Sequence, residues 1–139
     1  MGKELVMKWV VLGLAVAVAA AFVFARGGAA KGYEKRAMTV AEMTASGGLI
    51  VDIRTPQEWK DTGVIAGAKL VTFGDANSFL TLVRKDIAEG RPVILICRSG
   101  ARSSAAAAAL AGKIANPIIS VNGGMSSVIA AGYQTVKPK

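Results

Sequence analysis

The sequence predicts an α/β domain with a central parallel sheet and helices on both faces, a three-layer arrangement, preceded by an apolar N-terminal helix. Three observations carry this. Short apolar runs rich in β-branched residues alternate with capped stretches of helical spacing, as expected of strands covered on both faces. A single uncharged run, Trp9 to Ala25, holds no polar side chain and stands apart from everything after it. With that run set aside, the 139 residues leave about 100 for one modest core.

The N-terminal run (WVVLGLAVAVAAAFVFA) is seventeen residues long, bounded by Lys8 and Arg26. At about 1.5 Å per residue it reaches about 25 Å, short of a hydrocarbon core of about 30 Å yet longer than a typical signal-peptide core. Residues 1–25 are therefore expected to be an uncleaved membrane anchor. A signal sequence cut after Ala25 or Ala30 is the alternative, since small residues precede both positions. Lys3 and Lys8 on one side face Arg26, Lys31, Lys35 and Arg36 on the other, so the positive-inside rule does not orient the segment. The run accounts for most of the high mean hydropathy of +0.45.

Residues 26–37 (RGGAAKGYEKRA) have no period and are expected to be a linker, with the domain occupying 38–139. Thr39-Val-Ala-Glu42 is a capping box opening a short helix that Gly47-Gly48 stops. Leu49 to Ile53 is a strand. Thr55-Pro56-Gln57-Glu58 is a second capping box with proline at the first helical position, and Gly63 closes that helix. Lys69 to Phe73 is a strand, and Ser78 to Ala88 a helix with apolar spacing at Phe79, Leu82, Val83 and Ile87. Pro92 to Cys97 is a fully apolar strand, Ser103 to Lys113 a helix, Pro117 to Val121 the last strand, and Met125 to Ala131 the last helix.

Composition narrows the chemistry. The chain has no histidine and one cysteine, which removes imidazole bases, Ser-His-Asp and Cys-His pairs, His-ligated metals, internal disulfides and CxxC redox pairs. No metal and no cofactor is expected. The net charge of +8 divides equally, +4 in residues 1–36 and +4 in 37–139. Half the basicity thus flanks the apolar run, and no aromatic and basic residues interleave elsewhere, so nucleic-acid binding is not expected.

The lone Cys97 falls at the carboxyl end of the most apolar strand, in Cys97-Arg98-Ser99-Gly100-Ala101-Arg102-Ser103. In α/β sheets the functional crevice lies beyond the carboxyl ends of the strands. A strand, a tight turn and a helix N-terminus aim several backbone N–H groups inward and favour an anion. Such a nest lowers a thiol pKa, and Arg98 and Arg102 are expected to lower it further, leaving a nucleophilic thiolate. Four residues separate Cys97 from Arg102, giving a smaller loop than the C-x5-R cradle of cysteine phosphatases, and no Asp or Glu follows Arg91 to act as general acid.

This loop resembles the active-site loop of the single-domain rhodanese family of sulfurtransferases. Leu49-Ile-Val-Asp-Ile-Arg-Thr-Pro-Gln-Glu-Trp59 with Gly63-Val-Ile-Ala-Gly-Ala68 is similar to the family's amino-terminal motif, and Asn122-Gly-Gly-Met125 with Ala131-Gly-Tyr133 to its closing glycine motif. The resemblance covers about 100 residues, Met38 to Val136. Val64 stands where the family usually has histidine and Val128 where tryptophan is common.

The resemblance implies a rhodanese-like three-layer fold and a double displacement. The Cys97 thiolate would attack thiosulfate or a similar anionic sulfur donor, hold the sulfur as a persulfide, and pass it to a thiol or cyanide-like acceptor. Arg98, Ser99, Gly100, Ala101, Arg102 and Ser103 would form the substrate cradle. Ser99 and Ser103 are also expected to cap the loop and helix, and the alternative for Arg102 is that it binds the loop backbone or an acidic partner. Asp52, Arg54 and Glu58 are expected to be a supporting charged network, and Gly123 and Gly124 to bring backbone close to the loop. A non-catalytic, membrane-tethered module on the same scaffold is the competing reading. A leader followed by a compact domain favours the periplasmic side of a bacterial-type inner membrane for that domain, anchored there or, in the alternative, secreted there after signal cleavage.

Overall fold

A computed structural model describes residues 32–139 of the chain. Five parallel strands form one sheet in the order β1-β5-β4-β2-β3, with β1 Glu34–Arg36, β2 Leu49–Asp52, β3 Lys69–Leu70, β4 Val93–Ile96 and β5 Ile118–Val121. Five helices cover it: α1 Val40–Ala45, α2 Pro56–Thr62, α3 Ala76–Val83, α4 Ala101–Leu110 and α5 Gly124–Ala130. The three-layer α/β architecture follows from strand chemistry. Every residue of β4 is buried, as are those of β5, and strands with two covered faces need apolar side chains on both.

Side chains alternate between the two faces with period two. Val93, Leu95 and Cys97 point into one core with Phe79, Leu80 and Val83 of α3 and Ala106, Ala107 and Leu110 of α4. Ile94 and Ile96 point into the other, with Met43 of α1 and Met125 and Val128 of α5. The alanines of α4 let that helix lie close on the sheet. Cys97 thus continues the face that looks towards α4.

Both predicted capping boxes form. Thr39 Oγ1 accepts from Glu42 N at 3.1 Å while Thr39 N donates to the Glu42 carboxylate at 2.7 Å, and Thr55 and Glu58 repeat the pattern. Elsewhere the elements depart from expectation. Glu34–Arg36, placed by sequence in the 26–37 linker, form β1, paired in parallel with β5 at Glu34–Ile119, Lys35–Ser120 and Arg36–Val121. All three side chains are exposed, so backbone hydrogen bonding rather than apolar pattern holds this edge strand.

The strand expected over Lys69 to Phe73 is regular only to Leu70, although Val71 N and Phe73 N still donate to the β2 side, to Asp52 O and Ile53 O. Helix α3 starts at Ala76 because Asp75 caps it, accepting from Ser78 N at 3.0 Å. The buried set is then Ala76, Phe79, Leu80 and Val83, and Leu82 is turned outward. A 3-10 turn, Arg84–Asp86, follows in place of further α-helix. Helix α4 begins two residues before the predicted Ser103 and ends at Leu110. Among the described residues no helix is long and apolar enough to cross a membrane. The expected anchor at 9–25 lies outside them.

Candidate active site

The site forms where β4 ends and α4 begins. Gly100, in the left-handed region at φ +102°, is the N-cap residue and has no side chain to cap with. The cap acceptor comes from Cys97. Its Sγ accepts from Gly100 N at 3.1 Å and from Ser103 N, the third residue of the helix, at 3.4 Å. A sulfur thus stands where a serine or aspartate oxygen normally stands, at the positive end of the helix. Cys97 is 1% exposed. Burial pushes its thiol upward, but the Ser103 hydroxyl and the Ser103, Gly100 and Ser99 amides outweigh burial and hold it below the ordinary value of 9.0.

The predicted cradle residues divide by role. Gly100 and Ser103 are buried around the sulfur. Arg98, Ser99 and Ala101 are exposed on the loop. The expectation that Ser99 and Ser103 cap the helix is corrected: the Ser103 hydroxyl donates back to Gly100 O at 3.1 Å and lies 3.5 Å from the sulfur. Arg102 takes the acidic-partner course, making two bonds to Glu58, Nη1 to Oε2 at 2.9 Å and Nη2 to Oε1 at 2.6 Å. This pairing and the Thr55 cap hold the Glu58 carboxyl down at about 2, against the opposing effect of burial. Arg102 is consequently bound to Glu58 across the site, and although it still feels the charge of Cys97, the groups that hold the thiol down are the loop amides and the Ser103 hydroxyl.

The support network is present in altered form. Arg54, 1% exposed, donates Nε to Asp52 Oδ1 at 2.9 Å and Nη2 to Asp52 Oδ2 at 2.7 Å. Its remaining donors reach Thr62 Oγ1 at 2.7 Å and Gly63 O at 2.9 Å, tying the end of β2 to the end of α2. Glu58 joins this network only through its carbonyl, which accepts from Arg54 Nη1 at 3.4 Å. Its carboxylate instead bridges the α2 cap and Arg102.

The loop is held from its other side by the start of α5. Met125 N donates to Cys97 O at 2.8 Å and Ser126 N to Arg98 O at 3.0 Å. A Cβ at Gly124 would lie 2.4 Å from Cys97 O, so only glycine lets the backbones approach this closely. Val64, at the family's histidine position, pairs its backbone with Val136, N to O at 2.9 Å in both directions. Val128, at the tryptophan position, is buried in the α5-side core.

Two features escaped the sequence reading. Ser120 of β5 is buried with its Oγ 2.7 Å from Ser103 Oγ and 3.2 Å from Ser104 Oγ. Its parity with Ile118, which faces α4, was the available signal. Glu58 and Asp61 also line a cleft of about 440 Å³ together with Arg98, Met125, Ser126 and Ile129. Carboxylates do therefore come near the loop, from α2 rather than from beyond Arg91.

A model of the rhodanese-like domain family matches residues 37–131. Among similar solved structures, a rhodanese-related protein from Thermoplasma volcanium is 28% identical at a TM-score of 0.54, over 74% of this chain and 99% of that one. A Rhodopseudomonas palustris protein of unknown function, described as a possible tyrosine phosphatase, is 26% identical at 0.55 over 75% and 85%. A rhodanese-like domain protein from Staphylococcus aureus, at 22% identity and 0.54 over 74% and 99%, shares the fold. No curated protein matches the chain. With the matched stretch running from the first helix through the cysteine loop to the glycine turn of α5, the chain belongs to the rhodanese-like domain family.

Proposed function

We propose that the protein is a sulfurtransferase that carries sulfane sulfur on Cys97. The observation that supports this most directly is the sulfur seated as acceptor of the Gly100 and Ser103 amides at the head of α4. The thiolate attacks the outer sulfur of a thiosulfate-like donor. The S–S bond of the donor breaks, sulfite leaves with its electron pair, and Cys97 becomes a persulfide anion. The same amides stabilise that anion. A thiol or cyanide-like acceptor then attacks the outer sulfur and restores the thiolate. With Arg102 bound to Glu58, the exposed Arg98 is the guanidinium placed to meet an incoming dianion.

The phosphatase description of one neighbour raises a second reading. The short loop argues against it, as does the Glu58 carboxylate, which stays ionised above a pKa of about 2 and so has no proton to give a leaving group. Membrane attachment through residues 9–25, with the domain outside the cytoplasm, accompanies the proposal on sequence grounds. Incubation of the purified protein with thiosulfate should add about 32 Da at Cys97 by intact mass, because one sulfur atom is retained through the covalent step. Cyanide should then release thiocyanate, and Cys97→Ser should do neither. Absence of both adduct and thiocyanate from the wild-type protein would leave the non-catalytic module as the reading.

A further inference from the structure

Behind the reactive sulfur lies a line of hydroxyls that the sulfur-transfer scheme does not use. From Cys97 Sγ the steps are 3.5 Å to Ser103 Oγ, 2.7 Å to Ser120 Oγ and 3.2 Å to Ser104 Oγ. Ser103 and Ser120 are fully buried, and Ser104 is half-buried at the flank of α4. Parity puts these groups together. Ser120 shares the face of Ile118, while Ser103 and Ser104 are consecutive in the first turn of α4 directly above it.

Each hydroxyl carries one proton, and that of Ser103 has a competing acceptor in Gly100 O at 3.1 Å, so the line has two consistent directions, the second of which needs the Ser103 proton to turn from Gly100 O to the sulfur. With a neutral thiol, Cys97 donates to Ser103, Ser103 to Ser120 and Ser120 to Ser104. With a thiolate every bond reverses, and Ser104 donates to Ser120, Ser120 to Ser103 and Ser103 to the sulfur. No other side-chain partner of Ser120 is present among the described residues, so its proton must serve one neighbour or the other.

We propose that Ser120 and Ser104 are positioning residues for Cys97, holding the Ser103 hydroxyl so that its proton points at the sulfur anion. Neither touches substrate. Ser120 occupies the Ser103 oxygen as a donor, which leaves only Gly100 O to compete with the sulfur anion for the Ser103 proton and, through the polarisation of one hydroxyl by the next, strengthens the bond to the anion. On loss of the thiol proton, one proton moves across each gap towards Ser104 and one leaves to water, so every hydroxyl keeps a single hydrogen and the thiolate is met by three aligned O–H dipoles. The inference rests on Cys97 being the reactive thiol of the proposed sulfur transfer, and it adds that the sheet, as well as the loop, selects the anionic form.

The test is the pH dependence of Cys97 alkylation by iodoacetamide in the full-length protein, followed by intact mass, with the single cysteine as the sole thiol. Removing a polarising hydroxyl two hydrogen bonds from the sulfur should raise the midpoint in Ser120→Ala by roughly 0.2–0.5 pH unit. Ser104→Ala should raise it by less, and Ser120→Thr, which keeps the hydroxyl, should restore the wild-type midpoint. The sign is diagnostic. If Ser120 merely accepted the Ser103 proton, its removal would release that proton to the sulfur or to Gly100 O and so lower the midpoint or leave it unchanged. A lowered or unchanged midpoint in Ser120→Ala overturns the proposal; should that variant fail to fold, an unchanged midpoint in Ser104→Ala does so. Persulfide formation by the wild type is scored separately. A sulfur adduct without a midpoint shift removes the hydroxyl chain and keeps the transferase, whereas a shift without an adduct does the reverse.

Discussion

Gly124→Ala is expected to be the most damaging single-methyl change in the domain. The residue sits at φ +55°, where an L side chain costs roughly 1–2 kcal/mol. Its new Cβ would stand 2.4 Å from Cys97 O, 2.7 Å from Arg98 C and 2.7 Å from Arg98 O. These are backbone atoms of the reactive loop and cannot swing aside as a side chain could. Overpacking of this kind typically adds roughly 1–3 kcal/mol. Retreat of the loop also stretches the bonds from Met125 N and Ser126 N, each worth about 1 kcal/mol. The total, roughly 4–7 kcal/mol, is a large part of the roughly 5–15 kcal/mol that holds a domain together. Gly132→Ala is the control: φ is +95°, but nothing lies within 4 Å of its Cβ, so only the conformational term of roughly 1–2 kcal/mol applies. Chemical denaturation of both variants and the initial rate of sulfur uptake at a temperature where both are folded give the comparison. Gly124→Ala should be the less stable by at least about 2 kcal/mol. Any folded protein should load sulfur about a hundredfold more slowly, as expected for a reacting group displaced by about 1 Å. If the two variants denature together and load at the same rate, the close packing of α5 on the loop does not set the position of the sulfur.

Two further changes address the charged groups. Asp52→Ala leaves Arg54 buried with its charge uncompensated and should lower stability by about 3–5 kcal/mol in urea denaturation; a loss below about 1 kcal/mol would mean that the Thr62 and Gly63 contacts hold the arginine without the aspartate. Glu58 has a folded pKa of about 2 against an ordinary 4.5. A depressed acid stabilises the fold above the ordinary value and loses that contribution as pH falls towards the folded one, so between about pH 4.5 and 2 the wild type should lose more stability than Glu58→Gln. Because Arg102 and Glu58 are 46% and 26% exposed, solvent screening limits the difference to about 1 kcal/mol. Parallel pH profiles for the two proteins would contradict the pairing.

Legibility in the sequence followed the range of the interaction. The capping boxes at Thr39 and Thr55 were readable because both partners lie within three residues. Strand β4 was readable because burial on two faces demands an unbroken apolar run, and Cys97 was placed correctly because that run ends on it. Strand β1 was not, since Glu34, Lys35 and Arg36 contribute only backbone to the sheet and carry no apolar signal. The start of α4 was missed for a related reason: the group that caps it is a sulfur three residues before the N-cap glycine, a pattern outside the usual serine, threonine, asparagine and aspartate signals. The pairing of Arg102 with Glu58 spans 44 residues and depends on how α2 and α4 start from the carboxyl ends of the neighbouring strands β2 and β4. Only the fold states it.

That pairing changes how activation is explained in a chain with no imidazole. Two arginines beside a thiol invite the view that mobile positive charge makes the thiolate. Yet Arg102 is neutralised by Glu58, and Arg98 is exposed where water and salt weaken its field. What remains close to the sulfur is fixed and buried: two amides at 3.1 and 3.4 Å, a hydroxyl at 3.5 Å and the first turn of α4. Such dipoles are already oriented before the charge appears, so little further ordering is needed when the proton leaves or when the charge moves outward onto an added sulfur. The rigidity that preserves their aim comes from Gly124 beneath the loop and from Asp52 and Arg54 bracing α2. In the proposed sulfur transfer the reactivity of Cys97 would therefore be a property of how three elements converge on one loop, with Arg98 left to recruit the donor and Arg102 to brace Glu58.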